Sequence, residues 1–188
     1  MRKENYFILT GAMGAGKTTV INKIKETGIL CVDEPARVIL KEQRELNGDA
    51  VPEKNAEMFS QLMLERMVSQ YKNNFDMPDI ILFDRGIPDI IAYNNLLNTD
   101  ETAARIASEE YQYNKHVFIF DGWEEIYTND DERKVDFKTA NDFGMNLKNI
   151  YTGLGYKIIE VPNVTSVERA LFIIENIKRA NGFYPPFK

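Results

Sequence analysis

The chain has 188 residues, a length that suits a single domain, residues 1–188. Its 29 acidic and 23 basic residues give a formal net charge of −6, which disfavours a nucleic-acid partner because such binding rests on many Lys and Arg contacts to phosphates. The lone cysteine, Cys31, excludes an intrachain disulfide, and the apolar runs are far shorter than the roughly 18 residues that span a membrane. The N-terminus has no signal-peptide pattern, so we expect a cytoplasmic protein.

The apolar pattern alternates between short buried runs and longer helical repeats. The runs predict strands at 6–9, 29–32, 79–83, 117–120 and 156–161. Apolar residues at helical spacing predict helices at 18–27, 35–47, about 53–71, 88–98, 100–112, 140–154 and from 165 onward. Such alternation predicts a parallel sheet with helices on both faces.

A glycine-rich segment, the phosphate loop, follows the first predicted strand and precedes the first predicted helix. It matches the pattern G-x-x-x-x-G-K-[ST] over residues 11–18. In this pattern the backbone N–H groups of the loop and of the helix N-terminus point at phosphate oxygens. We expect Lys17 to reach the β- and γ-phosphates of a nucleotide and the Thr18 hydroxyl to bind Mg²⁺. The predicted nucleotide-binding residues are Gly11, Ala12, Met13, Gly14, Ala15, Gly16, Lys17, Thr18 and Thr19.

An acid–arginine pair follows the third predicted strand. The C-terminal ends of strands line the ligand crevice of a doubly wound sheet, so Asp84 is placed to support Mg²⁺, usually through water. Arg85 could clamp a phosphate through two parallel N–H groups. The alternative is structural: Asp84 would cap the helix that begins near Pro88, with Arg85 as its ion partner.

A second acid, Glu34, follows the second predicted strand and therefore lies at the same edge of the sheet. From there it could act as a general base on a substrate hydroxyl, or as a second magnesium ligand. Because Pro35 fixes a helix start, the alternative is that Asp33 or Glu34 is simply an N-cap.

Four segments in chain order resemble the AAA_28-type predicted ATPases, which are related to the ribosylnicotinamide kinase domain of the NAD-biosynthesis regulator. The segments are GAMGAGKTT, VDEPAR, FDRGIPDIIAY and YTGLGYKIIEVPNVTSVERALFII, and the resemblance covers essentially the whole chain. More distantly, the chain is similar to deoxynucleoside kinases, which carry a Glu-Pro pair after the second strand and an acid–Arg pair after the third. That similarity implies Glu34 as the catalytic base and Arg85 as a phosphate clamp. Those kinases have a serine after the arginine, where this chain has Gly86, so the carry-over there is partial.

Residues 122–136 occupy the place where small-molecule kinases carry a lid. Such lids supply arginines to the transferring phosphoryl group. Arg133 and Lys134 are the cations of this stretch, and we predict a lid role for Arg133. Within residues 123–134, five acidic residues surround the two cations, so a solvated, salt-bridged loop is the alternative.

Together these features predict a P-loop fold, a three-layer sandwich with five parallel strands in the order 2-3-1-4-5, like that of nucleoside and nucleotide kinases. The predicted function is phosphoryl transfer, dependent on ATP and Mg²⁺, to an unidentified small acceptor that bears a hydroxyl and is nucleoside-like. ATP is the default nucleotide because no N-K-x-D segment marks guanine specificity. Two alternatives stay open, a hydrolytic ATPase and a nucleotide-dependent binding switch without an acceptor. A monomer and a dimer are both compatible with the sequence.

Overall fold

A computed structural model describes residues 2–127, 135–180 and 182. The strands are β1 (Tyr6–Gly11), β2 (Leu30–Val32), β3 (Ile81–Asp84), β4 (His116–Phe120) and β5 (Lys157–Val161). They form one sheet in the order β2-β3-β1-β4-β5, and every pairing is parallel. The predicted strand number, direction and order are therefore confirmed.

Helices cover both faces of this sheet. They are α1 (Lys17–Lys25), α2 (Ala36–Glu45), α3 (Ala56–Asn73), α4 (Asp89–Leu97), α5 (Thr102–Glu110), α6 (Phe137–Gly153) and α7 (Ser166–Ala180), and a short 3₁₀ helix, Glu124–Ile126, follows β4. The architecture is thus the predicted three-layer α/β sandwich. Within the described residues, no helix is both long and apolar enough to cross a membrane.

Side-chain caps mark the start of α3, α6 and α7, and in α6 the cap is Asp136, which accepts from a first-turn N–H at 2.7 Å. Helix α3 begins at Ala56, later than its apolar pattern predicts, because the Asn55 side chain accepts a hydrogen bond from a first-turn N–H at 2.9 Å. A capping box begins α7: the N–H of Glu168 donates to Thr165 Oγ1 at 3.3 Å, and the N–H of Thr165 donates to Glu168 Oε2 at 3.1 Å.

The sheet separates two apolar cores. Successive side chains of β1 point to opposite faces, and all six residues of the strand are buried. Tyr6 and Ile8 pack on one side with side chains of α3, α4 and α6, whereas Phe7 and Leu9 pack on the other side with α1 and α7. Strand β1 is therefore held firmly from both faces, and it positions the phosphate loop that follows its C-terminal end.

The strand register brings three chain segments to one edge of the sheet. Leu9 of β1 lies opposite Asp84, the last residue of β3, and Val32 at the end of β2 lies opposite Phe83. Glu34 follows β2 by two residues. Because the strands are parallel, the phosphate loop, Glu34 and Asp84 all emerge where ligands bind in open α/β sheets.

Candidate active site

The phosphate loop leaves β1 in a conformation that requires glycine. The φ angle of Gly11 is +141°, and a Cβ on this residue would lie 2.1 Å from the carbonyl oxygen of Phe120. Gly14 and Gly16 both have a φ of +79°. Gly16 is the N-cap residue of α1 and has no side chain to cap it. The N–H groups in the first turn of α1 are therefore open to an anion, which is what the sequence pattern predicts.

The other residues of the loop and of the first turn of α1 differ in how far they are exposed to solvent. Ala12 and Ala15 are buried against the core that packs under α1 and α7. Met13 is partly buried and packs against the opposite core. Thr18 and Thr19 are exposed in the first turn of α1. The Thr18 hydroxyl is thus accessible to a ligand held in the loop.

Lys17 and Asp84 form a buried ion pair across the site. The Nζ of Lys17 donates to Asp84 Oδ1, and the two side chains are 8% and 9% exposed. Burial raises the pKa of Asp84 above its usual value, and the nearby charge of Glu34 adds to the rise, while Lys17 opposes it. Among its neighbours, Lys17 is the group that most favours the ionised form of Asp84 by lowering its pKa.

Glu34 is held as a carboxylate by its neighbours. Arg85 Nε lies 2.9 Å from Glu34 Oε1, and the Tyr93 hydroxyl donates to the same oxygen at 2.9 Å. Burial raises the pKa of Glu34, but the charges of Arg85 and Lys17 and the Tyr93 hydrogen bond outweigh burial and hold the pKa below its usual value. The side chain is 19% exposed, so a small molecule in the cleft could contact this charge.

Arg85 lies almost fully buried between the cleft and the core. Its residue exposure is 5%, and its guanidinium stacks near the rings of Tyr93 and Phe143, at 5.7 and 5.4 Å from their centroids. The Nη1 group donates to the Gly11 carbonyl oxygen at 3.2 Å. The guanidinium is therefore next to the start of the phosphate loop.

Neither structural alternative for the two acids accounts for their contacts. The N-cap of α4 is Pro88, and Asp84 pairs with Lys17 rather than with the helix or with Arg85. The N-cap of α2 is Pro35, which leaves the carboxylate of Glu34 to Arg85 and Tyr93.

The structure adds four residues to the site that the sequence did not single out for a role: Tyr93, Asp89, Tyr151 and Arg169. The sequence could have indicated Asp89, because an acid four residues after Arg85 is at the spacing of a helical ion pair. Tyr93 lies four residues after Asp89 on helix α4, and Tyr151 and Arg169 come from distant parts of the chain. No local pattern separates these three from residues of the core.

Arg169 of α7 ties the phosphate loop to the beginning of the predicted lid. Its Nη1 donates to the Ala15 carbonyl oxygen at 2.8 Å, its guanidinium lies 4.5 Å from the centroid of the Trp123 ring, and the residue is 2% exposed. Arg133 and Lys134, the cations predicted to serve the lid, lie outside the described residues. Of the segment 122–136, the structure describes 122–127 and 135–136.

The donors present suit magnesium. The Thr18 hydroxyl and the Asp84 carboxylate are the oxygen ligands that Mg²⁺ prefers, and the raised pKa of Asp84 beside Glu34 marks two acids whose repulsion a divalent cation would relieve. In the part of the chain that the structure describes, no group of three or more His, Cys, Asp or Glu side chains could hold a metal. Mg²⁺ would therefore keep mostly phosphate and water ligands, as it commonly does.

This geometry agrees with a comparison of the sequence with protein families. The family model AAA_28, described as an AAA domain, matches residues 6–169. The chain belongs to the AAA_28 family. The match covers the phosphate loop, both acids, Arg85 and Arg169 of this AAA_28 protein, and no curated protein matches the chain in sequence.

Two kinases and the NadR protein are among the solved structures that share the fold of the AAA_28 chain. Deoxyadenosine kinase from M. mycoides, with products dCMP and a flexible dCDP bound, is 16% identical with a TM-score of 0.63, over 95% of this chain and 100% of that one. Shikimate kinase from Acinetobacter baumannii, in complex with shikimate, is 19% identical with a TM-score of 0.55, over 93% of each chain. The NadR protein, in complex with NR, is 17% identical with a TM-score of 0.70, over 94% of this chain and 51% of that one.

At these identities the three structures establish a common fold. Family membership, with the phosphate loop in its strand–helix context, confirms the prediction of a P-loop enzyme, a kinase or an ATPase. The predicted family resemblance is confirmed as well.

Proposed function

We propose that the protein transfers the γ-phosphoryl group of ATP, with Mg²⁺, to a hydroxyl of a small nucleoside-like metabolite. The observation that carries the proposal is the Glu34 carboxylate, kept ionised by Arg85 and Tyr93 at the sheet edge where the phosphate loop emerges. A binding switch has no need of an ionised base beside the phosphate site, whereas transfer to a hydroxyl uses one.

The donor nucleotide would be held by the phosphate loop. Its backbone N–H groups and Lys17 would bind the β- and γ-phosphates. Lys17 now contacts Asp84, so an arriving phosphate would compete for its charge. Asp84, freed from Lys17, would then join the magnesium shell through water, while Thr18 binds the ion directly. The ion, when bound, supplies positive charge that neutralises the phosphates.

The transfer itself would need one proton acceptor and stabilised charge. The acceptor hydroxyl would give its proton to Glu34, its oxygen would bond to the γ-phosphorus, and the bond from that phosphorus to the bridging oxygen would break to release ADP. Arg85, and Arg133 as the sequence predicts, would neutralise charge on the moving group. Positioning and electrostatics would supply most of the rate.

The nucleoside-like acceptor is supported by the ligands bound in two fold relatives, dCMP in the deoxyadenosine kinase and NR in the NadR protein. The sequence resemblance to the ribosylnicotinamide kinase domain points the same way. The single domain over residues 1–188, the cytoplasmic location and the choice of monomer or dimer stay predictions.

The test is ADP release from ATP and Mg²⁺ by the purified protein, alone and with a panel of nucleosides and ribosylnicotinamide. Lys17→Ala is the blank. Release that rises with one acceptor and vanishes in Glu34→Gln supports the kinase and names its substrate. Release that no acceptor changes would favour a hydrolytic ATPase, and binding of ATP without release would favour a switch.

A further inference from the structure

A buried polar cluster lies directly behind the candidate active site. At its centre is the carboxylate of Asp89, in the first turn of α4, which is completely buried. It accepts hydrogen bonds from the hydroxyls of Thr10 and Tyr151, from the N–H of Gly86 at 3.0 Å and from Arg85 Nη1 at 3.0 Å. We call Thr10, Asp89 and Tyr151 the anchor cluster. It joins strand β1, helix α4 and helix α6 at one point.

Two acids hold Arg85 from opposite sides. Its Nη1 meets Asp89 in the core, and its Nε lies 2.9 Å from Glu34 at the cleft. The Asp89 carboxylate accepts three hydrogen bonds besides the one from Arg85 and is fully buried, whereas the Glu34 side chain is 19% exposed. Asp89 is therefore the more rigidly held of the two acids.

The backbone at Arg85 also depends on Asp89. The φ angle of Arg85 is +66°, a left-handed conformation that is uncommon for a residue other than glycine. Asp89 binds the N–H of the next residue, Gly86, and the N–H of Arg85 itself donates to the Leu9 carbonyl oxygen at 2.9 Å. This turn sends the guanidinium back toward Thr10, at the end of β1, where Nη1 lies 3.2 Å from its Oγ1.

A buried carboxylate costs free energy unless it is paired and hydrogen-bonded. An apolar side chain could fill a place in a core with less desolvation, so stability alone does not explain Asp89. The contacts of Asp89 indicate another role. The hydroxyls of Thr10 and Tyr151 hold its carboxylate in place. The carboxylate in turn holds the Gly86 N–H and the Arg85 guanidinium.

We propose that Thr10, Asp89 and Tyr151 are positioning residues that hold the Arg85 guanidinium against Glu34 and the phosphate loop. This inference rests on the proposed function, in which Glu34 accepts the proton of the substrate hydroxyl. When Glu34 is protonated it loses its charge and its attraction for Arg85. Asp89 takes no part in that proton transfer, so Arg85 stays in place through the reaction cycle.

The kinetic test compares Asp89→Asn and Tyr151→Phe with the wild type. Displacing a catalytic group by about 1 Å costs about 100-fold in rate, and we expect a loss of kcat of this order for Asp89→Asn, with the KM for ATP little changed. Tyr151→Phe gives a smaller loss of the same kind. Tyr6→Phe is the matched control, because Tyr6 is equally buried at the opposite end of β1, and it leaves kcat unchanged.

A double-variant cycle shows whether Asp89 acts through Arg85. In an Arg85→Ala background, Asp89→Asn then causes no further loss of kcat, since there is no guanidinium left to position. Losses that multiply would overturn the proposal, because Asp89 would then act independently of Arg85.

A second readout needs no turnover. In protein labelled with ¹⁵N-arginine, the Nε–H signal of Arg85, assigned with Arg85→Lys, is expected to exchange slowly with solvent in the wild type. It exchanges faster in Asp89→Asn and in Tyr151→Phe, and not in Tyr6→Phe. An unchanged Arg85 signal in both anchor variants refutes the proposal, and Tyr151→Phe decides alone if Asp89→Asn does not fold.

The two proposals can fail separately. If no acceptor stimulates ADP release by the wild type, the proposed kinase function fails, while the exchange measurement still judges whether the anchor cluster holds Arg85. If ADP release is stimulated but the exchange of Arg85 is the same in every variant, the positioning role fails and the kinase function stands.

Discussion

Lys17 of the phosphate loop and Asp84 at the end of β3 neutralise each other in a buried ion pair. In the proposed reaction each residue has a different partner: Lys17 would bind the nucleotide phosphates, and Asp84 would bind the water ligands of Mg²⁺. The two opposite charges compensate each other, which lets the fold bury both side chains. A bound nucleotide with Mg²⁺ would supply each of them with another partner of opposite charge.

Replacing Lys17 should destabilise the protein as well as weaken nucleotide binding. Lys17→Ala leaves the Asp84 carboxylate buried without its partner, and breaking a buried pair in this way costs about 3–5 kcal/mol. Urea unfolding measures the loss. The control is Lys25→Ala, which breaks an exposed pair with Asp33 at 2.6 Å and should cost at most about 1 kcal/mol. Equal small losses in both variants would show that the Asp84 pair contributes nothing.

The instability of Lys17→Ala should depend on pH in a defined direction. Because burial raises the pKa of Asp84, its contribution to stability is present below its usual value and is lost as the pH rises through the folded-state pKa. Removing Lys17 raises that pKa further. The difference in free energy of unfolding between variant and wild type should therefore be largest near neutral pH, at about pH 7, and shrink toward about pH 4. A constant difference would argue against an unpaired carboxylate as its cause.

Tyr93 should set the acid limit of the reaction. Its hydroxyl stabilises the ionised form of Glu34, so Tyr93→Phe raises the pKa of that carboxyl. Because a base must be ionised to accept a proton, the acid limb of the profile of kcat/KM against pH moves to higher pH, while the rate well above this limb changes little. Tyr6→Phe is the control and leaves the profile in place. An unshifted acid limb in Tyr93→Phe would mean that another group is the base.

The stability contribution of Glu34 has the opposite pH dependence to that of Asp84. Its pKa is lowered on folding, so its contribution is present above the usual value of 4.5 and is lost as the pH falls through the folded-state pKa. We therefore expect the free energy of unfolding of Glu34→Gln to fall less steeply than that of the wild type as the pH is lowered below about 4.5. A profile identical to that of the wild type would show that Glu34 is not held in its ionised form.

How much the sequence predicts depends on the range of the interactions. The strands and the phosphate loop follow from runs and spacings within about 20 residues, whereas the strand order follows from the P-loop fold that the loop indicates. The structure agrees with all three. The sequence predicts one role for Lys17 and another for Asp84, but it does not predict their contact, because the two residues are 67 positions apart. Local patterns place both groups at the same edge of the sheet but do not say that they touch.

The missed residues show where this reasoning ends. Arg169 reaches Ala15 across 154 residues, and Tyr151 reaches Asp89 across 62. Each sits among apolar residues at helical spacing, which is also the pattern of an ordinary core residue. Their hydrogen bonds depend on how α6 and α7 dock on the sheet, and that docking is a property of the packed fold.

Gly11→Ala should be among the most damaging single substitutions in the chain. The new Cβ would meet the Phe120 carbonyl oxygen at 2.1 Å, a backbone atom that cannot move without disturbing β4. We expect a loss of about 3–5 kcal/mol in the free energy of unfolding. The control, Gly28→Ala, has a similarly positive φ of +87° but nothing within 4 Å of its Cβ, so it costs only the backbone strain, about 1–2 kcal/mol. A comparable loss in both variants would show that φ, and not the clash, decides.

Trp123 should report occupancy of the phosphate loop. It is the one tryptophan of the chain, and its ring lies 4.5 Å from the Arg169 guanidinium, which donates to Ala15 inside the loop. Phosphates bound in the loop bring negative charge close to this guanidinium and alter the field at the indole ring. We expect the fluorescence of the wild type to change and saturate as ATP and Mg²⁺ are added, with a midpoint equal to the Kd from calorimetry.

Two variants separate this signal from non-specific effects. Lys17→Ala should bind ATP weakly and show no saturable change, whereas Arg169→Lys should bind ATP with a smaller change in emission, because a lysine cannot lie flat over the indole ring while holding the Ala15 carbonyl oxygen. If calorimetry detects ATP binding by the wild type and the emission stays constant, the contact between Trp123 and Arg169 does not transmit occupancy of the phosphate loop to the indole ring.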